Sequence, residues 1–275
     1  MNRNVRLVRR VHFSSGHRYW NPNHSESENR RMFGRWASKF NHGHNYVLDV
    51  TTEGEPDPDT GMVVNIKTID DILQQHVVSQ FEGKSINDEI AHFATSTPTL
   101  ENILLYLKSL MPFLPPEAHL TGLRLEETPL FWAEIEERDN WKMKLTRSYE
   151  FAASHRLYSP DFSEKENLEM FGKCANPAGH GHNYVLEVTV SGHPDHKTGM
   201  MVDLEALDDH VNELVVDRYD HKNLNVDLPE FSGRMTTSEM VAQEIWKALD
   251  GKLPAKLEKV RLQETARNIF EVCAE

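Results

Sequence analysis

At 275 residues the chain exceeds the usual size of one compact domain and fits two of about 100–150 residues each. Its 39% apolar and 27% charged residues supply side-chain area for packed cores and exclude a mostly disordered chain. A formal net charge of −13 disfavours nonspecific adhesion to nucleic acid or an anionic membrane, so any anionic substrate must meet a local positive site.

From the start, Met1 to Arg10 carries several arginines but no uninterrupted apolar stretch follows, which supports neither a secretory signal nor a membrane span. Helical spacing follows at Ile66, Ile69, Leu73 and Val77, and again at Ile103, Leu107 and Leu110. That second apolar run is interrupted by Lys108 and Pro112, so it predicts a packed helix, not a membrane span. Near Glu137–Met143 a charged stretch marks the boundary between domains at 1–138 and 144–275. Tyr149, Phe151, Ala153 and His155 share one parity, as do His182, Tyr184, Leu186, Val188 and Val190, which predicts two half-buried strands with histidines at their ends. Leu204, Leu207, Val211, Leu214 and Val215 predict a helix, as do Val241, Ile245, Ala248 and Leu249; Leu257–Gln263 and Asn268–Val272 predict a closing hairpin.

The second domain repeats the first. Glu28–Gly34 returns as Glu166–Gly172, His17 as His155, His42 and His44 as His180 and His182, Gly61-Met62 as Gly199-Met200, and Asn87 as Asn225, all at one offset. Arg124–Thr128 returns as Arg261–Thr265 after a one-residue adjustment. Each copy therefore reads strand, strand, helix, helix, strand, strand, an α+β layer in which two helices cover one sheet face.

His180-Gly181-His182 places two imidazoles on one side of an extended segment, and His155 ends the preceding strand. Three neutral histidines with an open fourth position suit catalytic zinc, although ligand type alone also admits nickel, copper or iron. A lone histidine is more often exposed or hydrogen-bonded; the recurrence of the triad as His17, His42 and His44 favours a metal. Cys174 lies in a loop of small and turn-forming residues, Gly172–Gly179, that can carry a thiol over the metal, where Lys173 and a cation favour the thiolate. A fourth metal ligand and an inert thiol are the alternatives. With only Cys273 besides, no disulfide framework is implied and a reduced cytoplasmic setting fits. Asp220-His221 offers a carboxylate beside an imidazole, suited to acid–base work or to plain solvation.

The runs Glu150–Arg156, Cys174 through Tyr184, Asp220–Asn225 and Gln263–Thr265 together resemble 6-pyruvoyl tetrahydropterin synthase over nearly all of residues 144–275. The cysteine-to-histidine spacing is similar to that of the animal-type enzymes; 6-carboxytetrahydropterin synthases of queuosine biosynthesis usually have a shorter one. The resemblance implies tandem tunnelling-fold domains, each a four-stranded antiparallel sheet with two helices on one face. It implies conversion of 7,8-dihydroneopterin triphosphate to 6-pyruvoyl tetrahydropterin with loss of triphosphate. His155, His180 and His182 would hold zinc, Cys174 would abstract protons, Asp220 and His221 would be its acid–base partners, and Glu264 would anchor the pterin. Thr237 and Glu239 match a family motif near the pterin, while Thr236 and Glu239 stand at capping-box spacing. In the first copy Trp36 replaces the cysteine and Glu82-Gly83 the Asp-His pair, whereas His17, His42, His44 and Glu127 remain. A degenerate first domain beside a catalytic second is the expectation; 6-carboxytetrahydropterin synthase and a noncatalytic pterin or zinc carrier are the rivals. The family's barrels, with active sites at subunit interfaces, further imply a homotrimer imitating a hexamer; the acidic net charge makes no nucleic-acid or membrane partner the expectation.

Overall fold

The computed structural model describes residues 3–275. Two compact units result: the chain up to Leu145 together with Ser191–Asp203, and Thr146–Val190 with Leu204–Glu275. Hydrogen bonds that tie the segment Ser191–Asp203 to the first unit include those from the Thr99 hydroxyl to the Gly199 carbonyl (2.9 Å) and from the Met201 amide to the Glu101 carboxylate (2.8 Å).

The first unit contains β1 (Val5–His17), α1 (Glu26–Phe33), β2 (His42–Gly54), α2 (Ile66–Leu73), α3 (Leu100–Leu110), β3 (His119–Thr128) and β4 (Phe131–Glu136). Its four long strands lie in the order β1-β2-β3-β4, all antiparallel, and the two-residue strand Lys84–Ser85 runs parallel to the edge of β1. The second half repeats the pattern in β5 (Met143–His155), α4 (Glu164–Phe171), β6 (His180–Gly192), α5 (Leu204–Val211), α6 (Ser238–Leu249), β7 (Lys256–Thr265) and β8 (Asn268–Cys273). Its order is β5-β6-β7-β8, with Lys222–Asn223 parallel to β5. This is the expected α+β architecture.

The apolar parity of the strands and the apolar stripes of the helices meet in each core. Phe151, Tyr184, Leu186 and Val188 on the sheet face Leu207, Val211, Val241, Ile245 and Leu249, all buried. Burying each such side chain stabilises the fold by about 1.5–3 kcal/mol, so a charged substitution at Ile245 would open the layer.

Three local features depart from the sequence reading. Short helices α1 and α4 stand between the first two strands of each copy, started by capping boxes at Ser25–Glu28 and Ser163–Glu166. The helices predicted through Val77 and Val215 continue past α2 and α5 with a widened turn, Gln74–Val78 and Asn212–Val216, before ending in Ser79–Phe81 and Asp217–Tyr219. Finally, Ile66 is half-exposed at the first turn of α2, where its stripe has not yet reached the sheet.

Candidate active site

β5 ends and β6 begins at the same edge of the sheet, so His155 meets His180 and His182 there. Gly179, at φ +71°, carries the chain into β6 past the His155 carbonyl; a Cβ would stand only 2.9 Å from that oxygen, so the loop closes with glycine alone. The ring centroids lie 4.7, 5.2 and 4.8 Å apart, and the available ring nitrogens all fall within 4.8 Å of one another.

The His155 Nδ1–H donates to the Thr236 carbonyl at 2.7 Å, which leaves the Nε2 lone pair facing the other imidazoles. His155 Nε2, His180 Nδ1 and His182 Nε2 are buried without a hydrogen-bond partner. Orphaned nitrogens of this kind are costly unless something fills the space between them, and three imidazole lone pairs converging on one point fit a metal cation. Burial lowers the pKa of both His180 and His182, an effect reinforced by the neighbouring imidazoles and Lys173, so they stay neutral and able to ligate.

Glu264, near the end of β7, approaches this point. Its Oε1 lies 3.8 Å from His155 Nε2 and 3.7 Å from His182 Nε2. Ser238 Oγ donates to Oε1 at 2.6 Å and Asn268 Nδ2 to Oε2 at 3.0 Å. Partial burial opposes its charge, but these two hydrogen bonds and the imidazoles outweigh that, holding the carboxyl below its ordinary pKa. Ser238 and Asn268 have no signal in the sequence: one lies between Thr236 and Glu239, the residues at capping-box spacing, and the other opens the second strand of the closing hairpin.

Cys174 sits in the helical turn Gly172–Ala175. The Leu157 amide donates to the Cys174 carbonyl and the Arg156 guanidinium to the Ala175 carbonyl, each at 2.9 Å, which pins the turn beside the end of β5. The thiol is free and half-buried. It lines a cavity of about 340 Å³ together with the three histidines, Lys173, Thr237, Glu239 and Glu264. The capping box does not form: Thr237 is the N-cap residue of α6 and makes no side-chain cap bond, while the Thr236 hydroxyl donates to the Arg156 carbonyl.

Asp220 and His221 do not line that cavity. His221 borders a separate groove of about 610 Å³ with Ala152–Ser154, Gly181–Asn183 and Lys222–Asn223. His182 lies between the two and contributes to both. Asp220 accepts from the Ala152 amide and from the His221 ring, each at 2.7 Å. Those bonds depress its pKa and present His221 outward, with its ring largely exposed.

The first copy keeps the metal geometry and the carboxylate beside it, and loses the thiol and the Asp-His pair. His17 Nδ1–H donates to the Pro98 carbonyl at 2.8 Å, its Nε2 and that of His44 are orphaned, and His17, His42 and His44 form a second cluster that can hold a metal. Burial lowers His17 to about 3 and His44 to about 4. Glu127 stands 3.6 and 3.8 Å from these imidazoles, as Glu264 does in the second copy. Trp36 occupies the cysteine position, its indole N–H buried without a partner, beneath the Arg35 guanidinium.

The family model described as 6-pyruvoyl tetrahydropterin synthase matches residues 6–138 and 144–275. The chain is similar to the 6-pyruvoyl tetrahydrobiopterin synthase of Pongo abelii, 48% identical over 127 residues that cover 46% of this chain and 88% of that one. A more distant likeness is to the 6-carboxy-5,6,7,8-tetrahydropterin synthase of Rickettsia bellii, 27% identical over 150 residues, 48% of this chain and 99% of that one. Among solved structures, the 6-pyruvoyl tetrahydropterin synthase of Caenorhabditis elegans is 41% identical and matches with a TM-score of 0.45, covering 48% of this chain and 95% of that one. No helix among the described residues is long and apolar enough to cross a membrane.

Proposed function

Since both halves of the chain belong to the 6-pyruvoyl tetrahydropterin synthase family, we propose that the second half converts 7,8-dihydroneopterin triphosphate to 6-pyruvoyl tetrahydropterin with release of triphosphate. The observation that carries this reading is the single cavity in which a free thiol, three converging imidazoles and two carboxylates face one another.

His155, His180 and His182 would hold zinc, which when bound acidifies substrate hydroxyls and stabilises the negative charge left as carbon-bound protons depart. Glu264, held ionised by Ser238 and Asn268, accepts hydrogen bonds from the amino and ring N–H groups of the pterin. Thr237 and Glu239, unspent in capping, flank the same space. Cys174 takes the proton from the substrate side chain as its thiolate, and Lys173 supplies a positive charge for that form and for the triphosphate. The Asp220-oriented His221 exchanges protons on the far side of His182, in a groove that a neighbouring chain can close. A homotrimer of three two-domain chains is the assembly proposed, and the reducing cytoplasm its setting, since a thiol base must remain reduced.

For the first half, Trp36 and Gly83 at the positions of the thiol and the imidazole favour a noncatalytic role with a bound metal. The test is incubation with 7,8-dihydroneopterin triphosphate followed by mass identification of the product, for the native chain and for Cys174→Ala. Formation of 6-pyruvoyl tetrahydropterin by the native chain, and none by a Cys174→Ala chain that retains its zinc, is the expected result. A 6-carboxy product would transfer the chain to the other activity, and equal loss of zinc in the variant would make Cys174 a ligand.

A further inference from the structure

Arg18 and Arg156 are one position of the repeat, each directly after a histidine of its triad, and their backbones are held alike. The Arg18 amide donates to Asn87 Oδ1 at 2.9 Å and Asn87 Nδ2 to the Arg18 carbonyl at 3.1 Å; Asn225 clamps Arg156 in the same way, at 2.7 and 3.0 Å. Asn87 and Asn225 are each the second residue of a short helical turn, Ile86–Glu89 and Leu224–Asp227. The residue after the asparagine therefore stands in the same place beside both arginines.

The guanidinium groups nevertheless go to different partners. Arg18 grips Asp88 with both terminal nitrogens, at 2.7 and 2.6 Å, and donates to Asn41 Oδ1 at 2.8 Å. At the offset of the repeat Asp88 becomes Val226 and Asn41 becomes Gly179, so neither position offers a side-chain acceptor in the second copy. Gly179 is fixed by its turn against the His155 carbonyl, whereas Val226 is 78% exposed, so burial does not account for its apolar side chain. Arg156 instead lies over the Tyr158 ring, 4.2 Å from its centroid, and its Nε donates to the Ala175 carbonyl at 2.9 Å. Ala175 follows Cys174, whose own carbonyl takes the Leu157 amide at 2.9 Å. The turn that carries the thiol thus hangs from two donors on consecutive residues just past the end of β5, one a guanidinium and one a backbone amide.

We propose that Arg156 is a positioning residue for Cys174, and that Val226, by leaving the guanidinium without a competing carboxylate, commits it to that task. A carboxylate at position 226 would draw the guanidinium away in the manner of Asp88 and Arg18, because a bidentate bond between charged groups outlasts a single bond to a neutral carbonyl. The Ala175 carbonyl would then lose its donor, and the Gly172–Ala175 turn would keep only the Leu157 amide. The inference rests on the reading of Cys174 as the proton-abstracting base: a shift of the thiol by about 1 Å slows that step while leaving the residues that hold the pterin in place.

The test compares Val226→Asp with Val226→Thr, which has nearly the shape of valine and no charge, both in the full-length zinc-loaded protein. Alkylation by iodoacetamide, read by peptide mass at Cys174 and Cys273 separately, needs no turnover. In Val226→Asp it is expected to run about threefold faster at Cys174, the scale of an exposed ion pair, and at the native rate at Cys273. In the same variant kcat should fall about threefold with KM unchanged, and salt at about 1 M, which screens the new pair, should return both readouts to native values. Val226→Thr should match the native chain throughout. Native kcat and native Cys174 alkylation in Val226→Asp, a loss that Val226→Thr shares, a rise in KM alone, or a defect that salt leaves untouched would each overturn the proposal. If the native chain forms no product and Cys174 alkylation still responds as described, Arg156 is upheld as the holder of the thiol and the catalytic reading of Cys174 falls instead; product formation with an unresponsive Cys174 would do the reverse.

Discussion

His221 adopts φ +57°, a left-handed conformation that side chains with a Cβ avoid. The first copy shows what the backbone prefers there. Glu82 accepts the Ser14 amide as Asp220 accepts that of Ala152, and the next amide donates back to the strand in both copies, yet the residue in the left-handed position is Gly83. The turn is common to both, and only the imidazole is added in the second. A left-handed L-residue costs about 1–2 kcal/mol, more than the extra chain entropy of glycine at about 0.5–1 kcal/mol. We therefore expect His221→Gly to raise unfolding free energy by about 0.5–1 kcal/mol while removing most turnover, measured by urea denaturation beside product formation. A variant less stable than the native chain would show that His221 is held there by packing instead. The sequence offers His221 as an acid–base group beside Asp220 and, by the family resemblance, as a partner of Cys174. Its placement in a groove apart from Cys174 follows from the pairing of Ala153 with Lys222, a long-range register that no local pattern encodes.

Between elements, legibility tracked how local the cause was. The strand parities and apolar stripes gave the sheets and the long helices because burial acts residue by residue along one element. The S-x-x-E signals at Ser25 and Ser163 were present as well, but the eight-residue helices they start bury few apolar side chains and so carry little periodicity. The widened turns at Gln74–Val78 and Asn212–Val216 have no sequence mark, since one extra residue in a turn leaves the apolar stripe nearly intact. The pairing of Thr236 with Glu239 as a capping box was a local pattern overruled by a distant demand, the Arg156 carbonyl that takes the Thr236 hydroxyl. The two helix starts now separate capping from substrate contact. Thr99 accepts from the Asn102 amide and donates to Gly199 O in a buried setting, so Thr99→Ala should cost about 1–2 kcal/mol of stability. Thr237 does neither, so Thr237→Ala should change stability by less than about 0.5 kcal/mol and instead raise KM for the pterin triphosphate. Thermal melts of both variants and steady-state kinetics of the second check this; equal destabilisation would mean that Thr237 caps after all.

Across the whole molecule, the two triads couple folding to pH. In the metal-free protein His17, His42, His44, His180 and His182 all have pKa values lowered, in each case chiefly by burial. In the unfolded chain histidine titrates near 6.5, so between that pH and the folded values, about 3 for His17 and about 4 for His44, the unfolded state binds more protons than the folded one. Stability from these groups is therefore present above about pH 6.5 and is lost as the pH falls below it, with a slope of up to about 1.4 kcal/mol per pH unit for each fully buried ring. The general field of the chain acts in the opposite direction. Its net charge of −13 shrinks toward the isoelectric point near 5.6, which relieves self-repulsion and favours the compact state. Urea denaturation of chelated protein at fixed ionic strength is thus expected to show unfolding free energy dropping between pH 6.5 and 5, and His17→Gln, which removes the most deeply buried ring, to flatten that drop by up to about 1.4 kcal/mol per pH unit. Burial raises the pKa of the Glu101 carboxyl, which therefore takes up its proton more readily in the folded chain and favours folding on acidification, so a fall in this window belongs to imidazoles. A profile that rises on acidification, or one that His17→Gln leaves unchanged, would mean that the triads are already protonated or solvated in the folded metal-free chain and are not preformed to receive a cation.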